Sequence, residues 1–204
     1  IANAVPTSGG TFTGAVTVQG NFSADGGTIK LDGNYPTGTG NVALGDTALG
    51  DGSLSGGGLV AVGADALSAN TSGNSNTGVG YQSGQSLTTG GDNTAIGRAS
   101  LNSTTTGGSN TALGRDALRL NTTASNNTAV GYQSLYANTT GANNTSIGYQ
   151  SLLDNTTGFS LTSVGWGSLA NNTTGYENVA VGVSALRDNT TGLNNIAVGG
   201  SALL

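Results

Sequence analysis

The chain contains no cysteine, no histidine and no methionine, and only 7% of its residues are charged. Without cysteine it can form neither a disulfide framework nor a thiolate metal site. Without histidine it also lacks the commonest general base and metal ligand. Five Lys and Arg residues against ten Asp and Glu residues cannot provide a basic footprint for nucleic acid. The composition therefore argues against catalysis, cofactors, metals and nucleic-acid partners.

Long apolar segments are also missing, because no run approaches the roughly 18 residues that a membrane-spanning helix needs. We therefore expect no membrane insertion. What is abundant is glycine, with 37 residues among 204, accompanied by recurrent asparagine and threonine. These residue types favour turns. Because 35% of the residues are apolar and the net charge is only −5, the chain does not fit a typical disordered sequence either.

A glycine that follows a small residue and an aliphatic residue recurs along most of the chain. This key glycine column comprises Gly45, Gly63, Gly80, Gly97, Gly114, Gly131, Gly148, Gly165, Gly182 and Gly199. Its first interval is 18 residues and the other eight are all 17. The unit reads approximately N-T-A-V-G-x-x-S/A-L-x-x-N-T-T-G-x-N, and a regular period of this length indicates a solenoid.

Three further columns share this period. The aliphatic column, directly before each key glycine, is Leu44, Val62, Val79, Ile96, Leu113, Val130, Ile147, Val164, Val181 and Val198. The small-residue column, one position earlier, is Ala43, Ala61, Gly78, Ala95, Ala112, Ala129, Ser146, Ser163, Ala180 and Ala197. The leucine column, four positions after the glycine, is Leu49, Leu67, Leu101, Leu118, Leu135, Leu152, Leu169, Leu186 and Leu203, with Gly84 as its exception.

One such unit buries too few side chains to offset its ordering entropy, whereas stacked units align identical side chains and satisfy each other's backbone. The sequence therefore predicts an all-β fold, a parallel β-solenoid of ten coils, each with at most two short strands. We expect the aliphatic and leucine columns to form a continuous narrow core. Since that core is thin for a monomer, we also expect side-by-side association, with a homotrimer as the natural arrangement.

The repeat divides the chain into two regions. Residues 41–204 form the solenoid, and residues 1–40 are expected to form a small β-rich connector with alternating segments at Thr11–Val18 and Thr28–Leu31. The last unit stops in mid-repeat, which would leave strand edges open. We therefore expect this chain to be part of a longer protein, with another domain or subunit at that end.

The N-T-A-V-G-Y-Q-S-L type of unit resembles the head repeats of trimeric autotransporter adhesins, over residues 41–204. That resemblance implies a left-handed β-roll, a homotrimer and binding to host or matrix surfaces from the bacterial cell surface. The 17-residue unit is longer than the adhesin repeat, through its N-T-T-G segment. Together with the run Pro6–Val18 (P-T-S-G-G-T-F-T-G-A-V-T-V), it is more similar to bacteriophage tail fibres. This second resemblance implies a virion protein, joined to other fibre proteins and directed at a host-surface glycan.

One column combines aromatic and basic side chains directly after the key glycine. This aromatic–arginine column contains Tyr81, Arg98, Arg115, Tyr132, Tyr149 and Trp166. It could bind sugar rings and acidic sugars, or it could pack against a neighbouring subunit. Phe159, Tyr176 and Leu193 share another position, where we expect a subunit contact.

Other functions have weaker support. Asp154 and Asp188 occupy one phase two coils apart, about 9.6 Å along the stack, near the outer limit for an inverting glycosidase pair. No groove is implied around them, so we expect no enzyme. Paired threonines such as Thr139 and Thr140 form regular arrays that could bind ice. The interleaved asparagine and glycine favour turns there instead.

Overall fold

The computed structural model describes residues 40–50 and 53–204. Within them lie ten three-residue strands: β1 (Val42–Leu44), β2 (Val60–Val62), β3 (Thr77–Val79), β4 (Thr94–Ile96), β5 (Thr111–Leu113), β6 (Thr128–Val130), β7 (Thr145–Ile147), β8 (Thr162–Val164), β9 (Val179–Val181) and β10 (Ile196–Val198). Each strand pairs in parallel with the next, so the sheet order follows the chain. The predicted parallel β-solenoid is confirmed. The connector expected at residues 1–40 lies outside the described residues, apart from Gly40.

Equivalent positions of the repeat pair with each other throughout the sheet. Between β6 and β7, for example, Ala129 lies opposite Ser146. The backbone N–H of Thr128 donates to the carbonyl of Asn144 in the next coil at 2.8 Å. The N–H of Gly131 donates to the carbonyl of Leu113 in the preceding coil, also at 2.8 Å. Each coil contains a single strand, and its backbone groups depend on both neighbouring coils.

The core differs from the predicted one, because the aliphatic column lies on the outside. Within each three-residue strand successive side chains alternate between faces. The small residue in the middle points inward, and Ala129 is fully buried. The aliphatic residue that follows points outward, and Ile147 is 40% exposed. The core therefore consists of the small-residue and leucine columns, with a further small residue before each leucine, such as Ala117 or Ser134.

The leucines enter this core from an unusual backbone conformation. Leu135 has φ 53°, and Gln133 and Asn143 in the same coil have φ 52° and 60°. A non-glycine residue in this left-handed region costs about 1–2 kcal/mol. The same positions adopt positive φ in coil after coil. Hydrogen bonds between coils offset this cost, so a coil is stable only within the stack.

Two glycine columns are required for different reasons. Gly131 has φ 130°, and a Cβ there would also overlap the carbonyl of Gly148 in the next coil. The second column lies ten residues after the first. Gly141 in that column has no positive φ, but a Cβ there would overlap the carbonyl oxygen of Gly158. Close approach of successive coils therefore favours glycine at both positions, although Ala124 occupies the second column in one coil.

Buried asparagines form two ladders along the stack. In the strand-side ladder the Asn127 Oδ1 accepts the N–H of Asn144 at 2.9 Å, while its Nδ2 donates to the Gly141 carbonyl at 3.0 Å. The second ladder is formed by the asparagine that begins each N-T-T segment. There the Asn155 Nδ2 donates to the Asn138 Oδ1 at 2.9 Å. These amides satisfy turn carbonyls that no strand could reach.

Candidate functional site

The aromatic–arginine column follows directly after the corner made by the key glycine. Its side chains are therefore presented outside the coil, two residues beyond the outward aliphatic position. Tyr81, Tyr149 and Trp166 are 47%, 45% and 48% exposed. Because successive coils stack in register, this corner lines up the same position from every coil.

Three rings of this column form one offset stack. The ring centroids of Tyr132 and Tyr149 are 5.3 Å apart, with planes inclined by 16°. Those of Tyr149 and Trp166 are 6.2 Å apart, with planes inclined by 5°. The Arg115 guanidinium carbon lies 5.6 Å from the Tyr132 centroid, and that of Arg187 lies 6.0 Å from the Trp166 ring. An arginine thus covers each end of the stack through a cation–π contact.

This arrangement limits what the rings can bind. A sugar ring recognised by an aromatic side chain needs access to the aromatic face. Both faces of Tyr149 are turned toward neighbouring rings, and the outer faces of the stack meet arginines. Ring edges and polar tips are what the stack presents to solvent. The geometry therefore favours a packing role for the rings. The arginines are the side chains of the column that can still bind a ligand.

The arginines are held by a buried carboxylate. Asp116 has only 2% of its side chain exposed, and its two oxygens bind different guanidinium groups. The Arg115 Nε donates to Oδ2 and the Arg119 Nη1 donates to Oδ1, both at 3.1 Å. Arg98 lies one coil earlier in the same column as Arg115, and it makes no ion pair with any residue that the structure describes.

A second aromatic pair lies at a different position of the coil. The rings of Phe159 and Tyr176 are stacked with centroids 4.8 Å apart and planes inclined by 5°. Leu193, at the same position of the next coil, is 45% exposed. The two coils before Phe159 carry Ser125 and Ala142 at this position, and Gly91 and Gly108 occupy it earlier, so large apolar side chains occur here only in the later coils. The subunit contact expected at these residues stays a prediction.

The two aspartates considered for catalysis are both exposed. Asp188 accepts a hydrogen bond from the Asn171 Nδ2 at 2.9 Å. Asp154 lies two coils away, as the spacing predicted. Across residues 40–50 and 53–204, no group of three or more acidic, histidine or cysteine side chains is placed to hold a metal ion.

The paired threonines are split between two environments. The first of each pair donates its hydroxyl to a carbonyl of the next coil, as Thr139 does to Thr156 at 3.0 Å. The second, such as Thr140, is exposed. Only one threonine per coil in this segment is therefore free to face solvent, in a turn rather than in a flat strand.

One surface feature was not predicted from the sequence, and we call it the strand face. It comprises the outward side chains at the first and third positions of β1 to β10, the third being the aliphatic column. The sequence did contain an indication that the aliphatic column points outward. Its residues vary among leucine, isoleucine and valine, whereas the neighbouring column that fills the core is always a small residue.

Comparisons with protein-family models, with curated proteins and with solved structures found no match. Among the described residues there is no helix of the length and apolarity that a membrane crossing requires.

Proposed function

We propose that this chain is a structural and adhesive segment of a homotrimeric surface fibre, of the bacteriophage tail-fibre kind. In this proposal the solenoid projects a host-recognition element from the virion and joins other fibre proteins at its ends. The head of a bacterial trimeric adhesin is the alternative that shares the same construction.

The observation that carries the proposal is the strand face. Leu44, Ile96 and Ile147 are 45%, 41% and 40% exposed, although they are large aliphatic residues. They lie in one line that extends from the first coil to the last. Extended apolar surfaces of this kind mark protein–protein contacts. Since every coil contributes one aliphatic residue, lateral association would bury the line along its full length.

The stack also suits a spacer. Every strand from β1 to β10 pairs in parallel with the next in the same register, so coils can be added without changing the interface. Side-by-side association of several chains would stiffen a core that is only a few side chains wide. In a parallel homotrimer with a three-fold axis along the solenoids, equivalent coils of the three chains would lie at the same level.

The test is the mass and shape of residues 1–204 in solution, by light scattering together with small-angle X-ray scattering. We expect an elongated particle with the mass of three chains. A stable monomer across the accessible concentration range would contradict the fibre proposal. It would make thermal hysteresis the next measurement, since an exposed threonine array would then need an explanation.

A further inference from the structure

The arginines of this acidic chain are concentrated at one place. The chain has four arginines, of which Arg98, Arg115 and Arg119 belong to two adjacent coils. Asp116 is the only carboxylate paired with them among the described residues. Three positive charges against one negative charge leave a net charge of +2 at this corner, whereas the whole chain has a net charge of −5. We call these three side chains the arginine patch.

Like charges close together repel each other, so the clustering of these arginines requires a compensating interaction. Arg98 and Arg115 occupy equivalent positions on neighbouring coils, and their backbones are about 4.8 Å apart. The backbone supports this placement, since the Asp116 N–H donates to the Arg98 carbonyl at 2.9 Å. Unit charges a few ångströms apart repel by about 1 kcal/mol even in water. An anionic ligand between the two guanidinium groups would reverse the sign of this interaction.

Asp116 positions two of the three guanidinium groups rather than neutralising the patch. Each of its oxygens binds a single nitrogen of one arginine. Arg115 uses only Nε, so both of its terminal nitrogens are unused by this pair, and its side chain is 56% exposed. The Tyr132 ring supports the same guanidinium at 5.6 Å. Guanidinium groups held in one orientation lose less entropy when they bind a ligand.

We propose that the arginine patch binds the carboxylate groups of an acidic polysaccharide, such as a uronic-acid polymer, lying along the solenoid axis. A guanidinium fork matches a carboxylate through two parallel hydrogen bonds. Arg98 and Arg115 occupy this position in two successive coils, so two carboxylates of one polymer would each meet an arginine. This inference rests on the adhesive half of the proposed function. In a trimer three identical patches would add avidity to a weak single site.

The experiment is calorimetric titration of the full chain with oligogalacturonate, and with the same oligomer after methyl esterification, which removes the charge and keeps the sugar. We expect binding of the acid form only, weakened by added salt. Arg98→Gln and Arg115→Gln should each reduce the affinity about tenfold, the loss of one charged hydrogen-bonding group. Arg187→Gln is the matched control, because Arg187 also lies over an aromatic ring but about 19 Å further along the stack; it should leave the affinity unchanged.

Asp116→Asn separates positioning from simple charge. If charge alone governed binding, removing this carboxylate would strengthen it. We expect weaker binding, since the orientation of Arg115 and Arg119 is lost. Thermal unfolding of each variant identifies any that fail to fold. If Asp116→Asn does not fold, the binding measurements on the arginine variants still test the proposal.

Four results would overturn the inference: no binding of oligogalacturonate, equal binding of the methyl ester, equal losses from Arg187→Gln and Arg98→Gln, or tighter binding by Asp116→Asn. The mass of the same samples keeps the two proposals apart. A trimer that ignores oligogalacturonate would refute the patch and leave the fibre, whereas a monomer that binds it would refute the fibre and leave the patch.

Discussion

The Asn138 side chain joins the coils on both sides of it. Its Nδ2 donates to the Asn121 Oδ1 at 3.0 Å, and its Oδ1 accepts from the Asn155 Nδ2 at 2.9 Å. The same Nδ2 reaches the Gly141 carbonyl at 2.9 Å. Asn70 occupies the equivalent position near the start of the stack, yet both of its polar side-chain atoms are buried without a hydrogen-bond partner. The next two positions of this column are Leu87 and Thr104 rather than further asparagines.

The same substitution should therefore have opposite effects at these two positions. Asn138→Leu leaves the buried Asn121 Oδ1 without its donor and removes one of the two hydrogen bonds of the Asn155 Nδ2 and of the Gly141 carbonyl. We expect it to lower the free energy of unfolding by about 1–3 kcal/mol, the cost of an unsatisfied buried polar group. Asn70→Leu removes an unpaired buried amide and places leucine beside Leu87, so it should raise that free energy by about 1–2 kcal/mol. Chemical denaturation measures both. Equal destabilisation by the two changes would contradict the ladder interpretation.

The key glycines should tolerate no side chain. Gly131→Ala places a Cβ against the Gly148 carbonyl and forces alanine into φ 130°. Strain and overpacking together should cost about 3 kcal/mol or more. Gly200→Ala is the control, because it has ordinary φ and no atom within 4 Å of the added Cβ. Denaturation of both variants tests the assignment, which a similar midpoint for the two would refute.

The strand face should govern association and contribute little to the fold of one chain. Ile147→Ser and Ile96→Ser remove large side chains that are 40% and 41% exposed. We expect the double variant to shift toward a lower mass in light scattering, with an unchanged circular dichroism spectrum. Thr140→Ser, on the exposed turn, should leave the mass unchanged. If the double variant keeps the wild-type mass, another surface forms the contact.

Trp166 is the only tryptophan in the chain, so its fluorescence reports on the aromatic stack. Tyr149→Ala removes the ring whose centroid lies 6.2 Å from that of the indole. Stacked aromatic pairs contribute about 0.5–1.5 kcal/mol each, and Tyr149 belongs to two of them. We expect a changed emission spectrum, greater quenching by acrylamide and a modest loss of stability. Tyr81→Ala, further along the column, serves as the control and should leave the emission of Trp166 unaltered.

Much of the fold could be predicted because the repeat is a physical constraint. Eight successive intervals of 17 residues place equivalent residues in register, and parallel pairing of identical positions follows. The stacking of Tyr132 on Tyr149 follows from the same register. The ladder through Asn138 could be anticipated too, since an asparagine that recurs in five successive coils, from Asn121 to Asn189, finds its partner in the next coil.

The direction in which each column points was decided by the tertiary structure. Hydrophobicity alone suggested that Val130 is buried, yet the interior beside Leu135 has room only for Ala129. The coil is so narrow that a small residue fills it, and alternation along the strand then turns the aliphatic neighbour outward. Serines follow the same rule. Ser146 faces inward and donates to the Ser151 carbonyl at 2.8 Å.

The sequence by itself thus determined the period, the parallel stack and the ladder of equivalent residues, because these depend only on spacing. The tertiary structure decided which side of each strand is the core, and it set the role of each arginine. It placed the faces of the Tyr149 ring against other rings, and it turned both oxygens of Asp116 toward arginines. These properties depend on the width of the coil and on the directions of the side chains at its corner. The spacing of residues along the chain specifies neither of them.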